Sequence, residues 1–420
     1  MAQNPGVEEA ESSKEQEKGQ KKGQEQEAAA SEASLSLQAK QEAQEAKERA
    51  KKRREAIMEA SANLVGKLKK QCGKESVSLL GAGGASFPSG FVYPGHPALA
   101  LAIGGNTMFA GFPYGRMIEI YGPESSGKTT LALHALASAQ ANGQIAHFID
   151  TEHSLSPSYA HALGVDTDAL LFSQPTSAEE ALNLIEPSIT FGTKILILDS
   201  VAALVPEREI DNSIGESSVG LHARLMSQTM RKLTGPIARH GACVIFVNQI
   251  REKIGVPNNM SPETTTGGRA LRFYSSVRLD VRRIGKASGG MSEDGNRISI
   301  NVRKNKMARP FCKAEANIEF GKGLDEVGGW IELGVQYSAV QRSGAWYSTN
   351  EGERLGQGLN NTIEYLIQNP EILNGIKQAV MDRVDKIRLE TEKRAPRIQM
   401  EESDIPGIAH ETPEEFYAIP

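Results

Sequence analysis

Apolar and polar positions change rhythm several times along the chain, and each change predicts an element. Met117-Ile118-Glu119-Ile120-Tyr121 is a short, nearly continuous apolar run and predicts a buried strand. Leu131 to Ala137 follows it and predicts a helix that stops at Gly143. Ile145 to Asp150, Lys194 to Asp199 and Cys243 to Val247 repeat the strand signature. The first two of these end in a carboxylate, and the last leads into Asn248-Gln249. From Phe91 to about Val302, strands alternate with helical stretches, which predicts a mainly parallel sheet covered by helices, an α/β fold. Ser276 to Arg282, Arg297 to Arg303 and Ala314 to Phe320 alternate more strictly and predict an antiparallel extension of that sheet.

The two ends of the chain follow other patterns. Residues 1–55 are rich in Glu, Lys, Gln, Ala and Ser, with almost no large apolar side chains, and predict a disordered or solvated helical extension. Within it, Arg49 to Arg54 is a basic cluster that suits either nucleic-acid phosphates or a plain solvated charge run. Ile57, Met58, Leu64, Val65 and Leu68 predict one amphipathic helix from Ala56, and a Gly/Ser stretch from Gly81 to Gly90 predicts a linker. The main core is expected over 91–324. From Asp325 to residue 390, Trp330, Trp346 and a helical stretch from Asn361 to Leu389 predict a small separate α+β domain. Residues 391–420, acidic from Glu401, predict a loose tail.

The chemistry concentrates on Gly122-Pro123-Glu124-Ser125-Ser126-Gly127-Lys128-Thr129, between the first predicted strand and its helix. Strand, glycine-bounded loop and helix together make a phosphate-binding loop. Its backbone N–H groups turn inward, and the helix N-terminus adds partial positive charge. Lys128 then suits β- and γ-phosphates, and the Thr129 hydroxyl suits Mg²⁺. The nucleotide set is completed by Thr130, one step into the helix. Ligands of open α/β sheets bind beyond the carboxyl ends of the strands, so Glu152, Asp199 and Gln249 converge on the edge that carries this loop. Asp199 is the expected second Mg²⁺ partner. Glu152 reads as a general base for a water attacking the γ-phosphate, or as a surface carboxylate. Gln249 reads as a γ-phosphate sensor, or as a strand cap.

Composition narrows the partners. The 420 residues carry a formal net charge of −5, with 39% hydrophobic and 24% charged residues, so a nucleic-acid site has to be a local basic surface. Two segments qualify. Arg251 to Gly268 is long and polar, carries Arg251, Lys253, Arg269 and Arg272 in or beside it, and predicts a mobile loop. A second loop, Glu207 to Gly220, precedes a helix in which Arg224 and Arg231 share a face with Ser227 nearby. Together they suggest a backbone-reading site for single-stranded nucleic acid, although the first loop has no aromatic residue for base stacking. Cys72, Cys243 and Cys312 show no metal-ligand spacing and suit a reducing compartment, the last two by burial. No apolar run reaches membrane-spanning length, so no membrane association and a cytoplasmic location are expected.

Several strings resemble the bacterial RecA recombinase family: GPESSGKTTLAL from Gly122, DSVAAL from Asp199, MSQTMRKL from Met226, NQIR from Asn248 and PETTTGG from Pro262. Arg282 to Gly285, Lys304 to Lys306 and Gly344 to Tyr347 match as well, and the resemblance spans roughly Ala56 to Asp385. It implies a RecA-type ATPase core with a small N-terminal polymerisation element and a C-terminal domain that gathers duplex DNA. It also implies helical filaments on single-stranded DNA, ATP between protomers, homologous pairing and strand exchange, and stimulated self-cleavage of the SOS repressor. By the same resemblance Glu152 is the catalytic base, Tyr159 stacks on the nucleotide, and Lys304 and Lys306 reach a neighbour's phosphates. Ser227, Arg231, Arg251, Ile254, Gly267 and Gly268 would hold DNA, and we add Arg224 and Arg269 from their charge and position.

The chain also departs from that family pattern. Residues 256–261 run one residue longer than usual and lack the aromatic, Arg269 replaces Asn, and Val219 replaces Met. Ser156 and Val327 replace residues that contact the base, which points to looser base selectivity. Two other readings stay open on sequence: an ATP-gated DNA-binding filament with weakened strand exchange, and a ring-forming ATPase that shares only the core.

Overall fold

The computed structural model describes residues 40–41, 44–45, 47–73, 77–79, 90–211, 220–252, 263–287 and 295–394. It divides into two compact units, one up to Ala85 and one from Ser86 onward. In the first unit, residues 47–72 form helix α1, so the basic cluster from Arg49 to Arg54 is helical. The helix therefore starts earlier than the apolar pattern from Ala56 implied, because Glu, Lys, Arg and Ala sustain a helix without an apolar face. Residues 1–39, most of the 81–90 linker and the tail from 395 lie outside the described residues.

The second unit opens with a short pair, β1 (Phe91–Val92) and β2 (Phe112–Pro113), around α2 (Pro97–Ile103). Next come β3 (Arg116–Gly122), α3 (Lys128–Ala141), β4 (Ala146–Asp150), α4 (Pro157–Ala162), β5 (Leu171–Ser173) and α5 (Ala178–Thr190). Then follow β6 (Ile195–Asp199), α6 (Glu207–Asp211), α7 (Leu221–His240), β7 (Cys243–Glu252), β8 (Glu263–Thr265) and α8 (Ala270–Tyr274). The run closes with β9 (Val277–Lys286), β10 (Gly295–Asn305), β11 (Lys313–Glu319) and β12 (Gly323–Leu324).

The strands build a 10-stranded sheet in the order β12-β11-β10-β9-β3-β7-β6-β4-β5, with β8 attached to β7. From β9 to β5 all neighbours are parallel, and β10, β11 and β12 add antiparallel strands at one edge. Helices cover both faces, because alternate residues of each strand are apolar in both directions. Ile118, Ile120, Ile245 and Leu279 pack with Leu131, Leu133 and Leu136 of α3 on one face. Met117, Val244, Phe246 and Leu198 pack with Ile185 of α5 and Met230 and Leu233 of α7 on the other.

The last elements share a third core. They are α9 (Glu326–Gln336), a hairpin sheet β13 (Val340–Ser343), β14 (Trp346–Thr349) and β15 (Arg354–Gln357), then α10 (Leu359–Gln368) and α11 (Pro370–Arg394). Trp330, Ile331, Leu355, Leu366, Val380 and Val384 meet Leu101 of α2 there. The stretch read as one helix is two, because Pro370 forces Asn369 out of helical backbone and itself starts α11. Cys243 and Cys312 are buried, as expected, and Cys72 is exposed. Among the described residues no helix is long and apolar enough to cross a membrane.

Candidate functional site

The loop from Gly122 to Thr129 joins the end of β3 to the start of α3, at the carboxyl edge of the parallel strands. Gly122 is closely packed: a β-carbon there would lie 2.1 Å from the Val281 carbonyl oxygen of β9. Gly127 is the residue before α3 and adopts φ 89°, a left-handed conformation that glycine takes without strain. Between them, Ser126 Oγ donates to the Pro123 carbonyl at 2.9 Å, closing the turn on itself.

A cavity of about 360 Å³ opens above the loop, lined by residues 124–130 with Glu152, Asp199 and Gln249. Lys128 is buried, and its Nζ donates to the Pro123 carbonyl at 2.6 Å. Burial pushes its pKa down, opposed by the carboxylates of Asp199, Glu152 and Glu124. Thr129 Oγ1 donates to Asp199 Oδ2 at 2.6 Å. Burial lifts Asp199 to a pKa of about 6, with the Thr129 hydrogen bond pulling it back and Glu152 adding to the rise. Thr130 Oγ1 and the Tyr159 hydroxyl share a hydrogen bond of 2.7 Å, which brings α4 against the loop. Ser156 caps α4 by accepting from the Tyr159 N–H, so it helps orient that tyrosine.

Glu152, Gln249 and Ser200 form a second group at the strand ends. Glu152 Oε1 accepts from the Ser200 hydroxyl and from Gln249 Nε2, the latter at 3.0 Å. The Glu152 and Thr151 backbones both donate to the Asp199 carbonyl, which ties the ends of β4 and β6 together. The residues fit a nucleotide with its divalent cation: a glycine-bounded loop at a helix N-terminus, a buried ammonium, and a hydroxyl–carboxylate pair facing one cavity.

The expected nucleic-acid residues spread along a neighbouring surface. Arg224 and Arg231 are exposed on α7, with Ser227 half-buried between them. Strand β7, expected to end near Val247, continues to Glu252, and β8 pairs back on it with Arg251 opposite Thr264. The segment read as a loop from Arg251 therefore begins and ends as a hairpin, and Ile254 and the other residues of 253–262 lie outside the described residues. Gly267, Gly268 and Arg269 form the turn into α8, with Gly267 buried and the other two exposed. The loop expected from Glu207 starts as α6, while 212–219, including Val219, lie outside the described residues. Lys304 near the end of β10 and Lys306 just after it do not line the cavity of their own chain. Lys304 Nζ caps α8 through the Arg272 and Phe273 carbonyls at 2.8 and 2.9 Å, and burial followed by the charges of Lys306 and Arg278 lowers its pKa to about 8.

Sequence reading passed over two residues beside this site. Glu119 lies fully buried in β3 and pairs with Arg278 of β9, and Asn248 of β7 donates to the same carboxylate at 3.1 Å. The signal was present, a carboxylate in the middle of a buried apolar run, but its partners come from strands far away in sequence.

A phosphate loop at the carboxyl edge of a mixed sheet, faced by strand-end carboxylates, defines a nucleotide-binding P-loop protein of the α/β class. The RecA N-terminal domain model matches residues 59–325, and the RecA C-terminal domain model matches 328–385. Protein RecA of Amycolatopsis mediterranei is 52% identical over 319 residues, covering 76% of this chain and 90% of that one. Protein RecA of Salinispora tropica is 50% identical over the same length and shares of each chain. The crystal structure of the RadB recombinase is similar over 56% of this chain and 98% of that one, with TM-score 0.42 and 20% identity. The chain belongs to the bacterial RecA family.

Proposed function

We propose that this protein is a DNA-dependent ATPase that assembles as filaments on single-stranded DNA and catalyses homologous pairing and strand exchange with duplex DNA. Stimulation of SOS repressor self-cleavage belongs to the same proposal. The observation that carries it is the continuity of β7. Its Gln249 side chain holds Glu152 in the nucleotide cavity, and two residues later Arg251 lies in the hairpin that leads to the candidate DNA segment. One strand thus serves both sites.

In this reading Lys128 leaves its loop carbonyl for the β- and γ-phosphates, and the loop N–H groups from Ser125 to Thr129 receive the phosphate oxygens. Thr129 and Asp199 would hold Mg²⁺, which supplies charge neutralisation on the phosphates when bound. Glu152 takes the proton of the attacking water. Its Oε1 is occupied by Ser200 and Gln249, so Oε2 is the atom placed to do so. Tyr159, held by Thr130, offers its ring to the base. Lys304 and Lys306 act across the protomer interface on a neighbour's phosphates, as arginine fingers do. Arg224, Ser227, Arg231, Arg251, Ile254, Gly267, Gly268 and Arg269 bind the DNA backbone, with Ile254 wedging between bases.

The test is ATP hydrolysis with and without single-stranded DNA, with Glu152→Gln as control. DNA stimulation that the substitution abolishes, with ATP binding retained, is the expected result. Hydrolysis indifferent to DNA would overturn the coupling of the two sites. The altered 256–261 segment favours one second reading, a filament that hydrolyses ATP but exchanges strands poorly, and a strand-exchange assay beside the ATPase assay separates it.

A further inference from the structure

The sheet face covered by α5, α7 and α8 is mainly apolar. There Glu119, Asn248 and Arg278, on three adjacent strands, form a buried polar cluster. Arg278 Nε donates to Glu119 Oε2, and its guanidinium stacks on the Tyr121 ring at 4.5 Å. The Asn248 side chain is fully buried and all three of its hydrogen bonds leave in different directions. Nδ2 donates to Glu119 Oε1 and to the Thr266 carbonyl, both at 3.1 Å. Oδ1 accepts from the Gln249 N–H at 2.9 Å. The orientation of the amide is fixed, because a flipped group would set its oxygen against a carboxylate and a carbonyl.

Thr266 precedes the positive-φ pair Gly267-Gly268. That turn packs on α7 and on the segment after Asp199: β-carbons there would meet Ala223 at 2.9 Å and Val201 at 3.1 Å. Thr266 Oγ1 and His222 Nε2 are shielded from solvent beside it, and neither has a hydrogen-bond partner among the described residues. A buried unpaired donor or acceptor is costly, so a shift of the turn that gave either group a partner would recover part of that cost.

We propose that Asn248 is a positioning residue that ties the Thr266–Gly268 turn to the Gln249–Glu152 pair, with the Glu119–Arg278 ion pair as its fixed anchor. The inference rests on the function proposed above. Rearrangement of Gln249 around a γ-phosphate moves its own N–H, hence the Asn248 amide, hence the Thr266 carbonyl. The turn then moves against α7, which carries Arg224, Ser227 and Arg231. Asn248 touches neither nucleotide nor DNA in this scheme.

Two variants separate positioning from stability. Asn248→Asp keeps the acceptor for the Gln249 N–H, removes both donors and places a second carboxylate beside Glu119. The double variant Glu119→Gln with Asn248→Asp exchanges amide and carboxylate, restoring their mutual hydrogen bond and the charge balance with Arg278. It leaves the Thr266 carbonyl facing a carboxylate. The expected result is that the double variant recovers the melting temperature lost by Asn248→Asp, while DNA-stimulated kcat stays at least tenfold down in both. Recovery of both properties, or full stimulation in Asn248→Asp, overturns the proposal. Hydrogen exchange at the Gly267 and Gly268 amides, with and without a non-hydrolysable ATP analogue, reads the link without DNA. Protection that changes with nucleotide in the unaltered protein and not in Asn248→Asp is expected, and no change in the unaltered protein sinks the inference. If that protection changes but DNA never stimulates hydrolysis, the function reading alone falls.

Discussion

A β-carbon on Gly122 would sit 2.1 Å from the Val281 carbonyl oxygen, and the obstacle is backbone of a central strand that cannot swing aside. Gly122→Ala is therefore expected to lose about 1–3 kcal/mol, the usual range for overpacking a tight interior, read as a lower urea midpoint. Asp199 gives a second test at this scale. Its pKa of about 6 lies above the ordinary value of 3.8, so the folded, nucleotide-free protein holds a proton there that the unfolded chain has released between those limits. The Asp199 contribution to stability therefore declines as pH rises from about 4 to 6. Cation binding needs the carboxylate, so affinity for ATP with Mg²⁺ should weaken as pH falls below about 6. Titration of nucleotide affinity across pH 5 to 8 checks this, with a flat profile as the contrary result. Lys128, Thr129 and Asp199 were legible in the sequence because the phosphate loop is a local grammar of glycines and a strand. Glu119 and Asn248 were not, since their meaning lies in strands that are neighbours in the sheet but more than a hundred residues apart in the chain.

Helices α2 and α3 meet β12 and α9 through two histidines, His96 buried and His134 half-buried. His134 Nε2 accepts from the Leu324 N–H at 2.8 Å, and burial drops its pKa to about 4. His96, just before α2, is held at about 4 by burial and then by the nearby His134 charge, with Arg297 adding and the Asp325 backbone opposing. Both histidines are neutral in the fold, and the unfolded chain protonates them near 6.5. Stability is then full above about pH 6.5 and falls as pH drops toward 4, where the folded forms at last take their protons. The linkage amounts to about 3 kcal/mol per histidine at most. Thermal melts from pH 7 to 4.5 should show this slope, and His134→Gln, which keeps an acceptor for Leu324, should flatten it. An unchanged slope would place the acid sensitivity elsewhere. Elements were read well where apolar rhythm was strong, as in β3, β6 and α3. The β7–β8 hairpin escaped notice because Arg251, Glu252, Glu263, Thr264 and Thr265 are polar and look like loop. The break between α10 and α11 escaped because the apolar pattern runs on past Asn369.

The molecule as a whole is acidic, with a net charge of −5, so any grip on a polyanion has to come from local cationic faces such as that of α7. Each lost phosphate contact lowers the salt dependence of binding to single strands by about 0.7 in log–log slope. Replacing Arg224 and Arg231 by Ala should therefore reduce the slope per protomer by about 1.4. An unaltered slope would remove those two residues from the DNA surface. The same large scale is where the buried ion pair has a different consequence, for how the chain finds its alignment while folding. Parallel strands can slip by two residues and still keep every side chain on its proper face. Glu119 stands opposite Arg278, with Tyr121 opposite Asp280. A slip one way sets Glu119 against Asp280 and strands the guanidinium beside Met117, and a slip the other way sets Glu119 against Ser276. Hydrophobic matching alone is blind to both errors, whereas the charge pair rejects them. The height of β3, and of the loop at its tip, is thereby proofread before any nucleotide arrives.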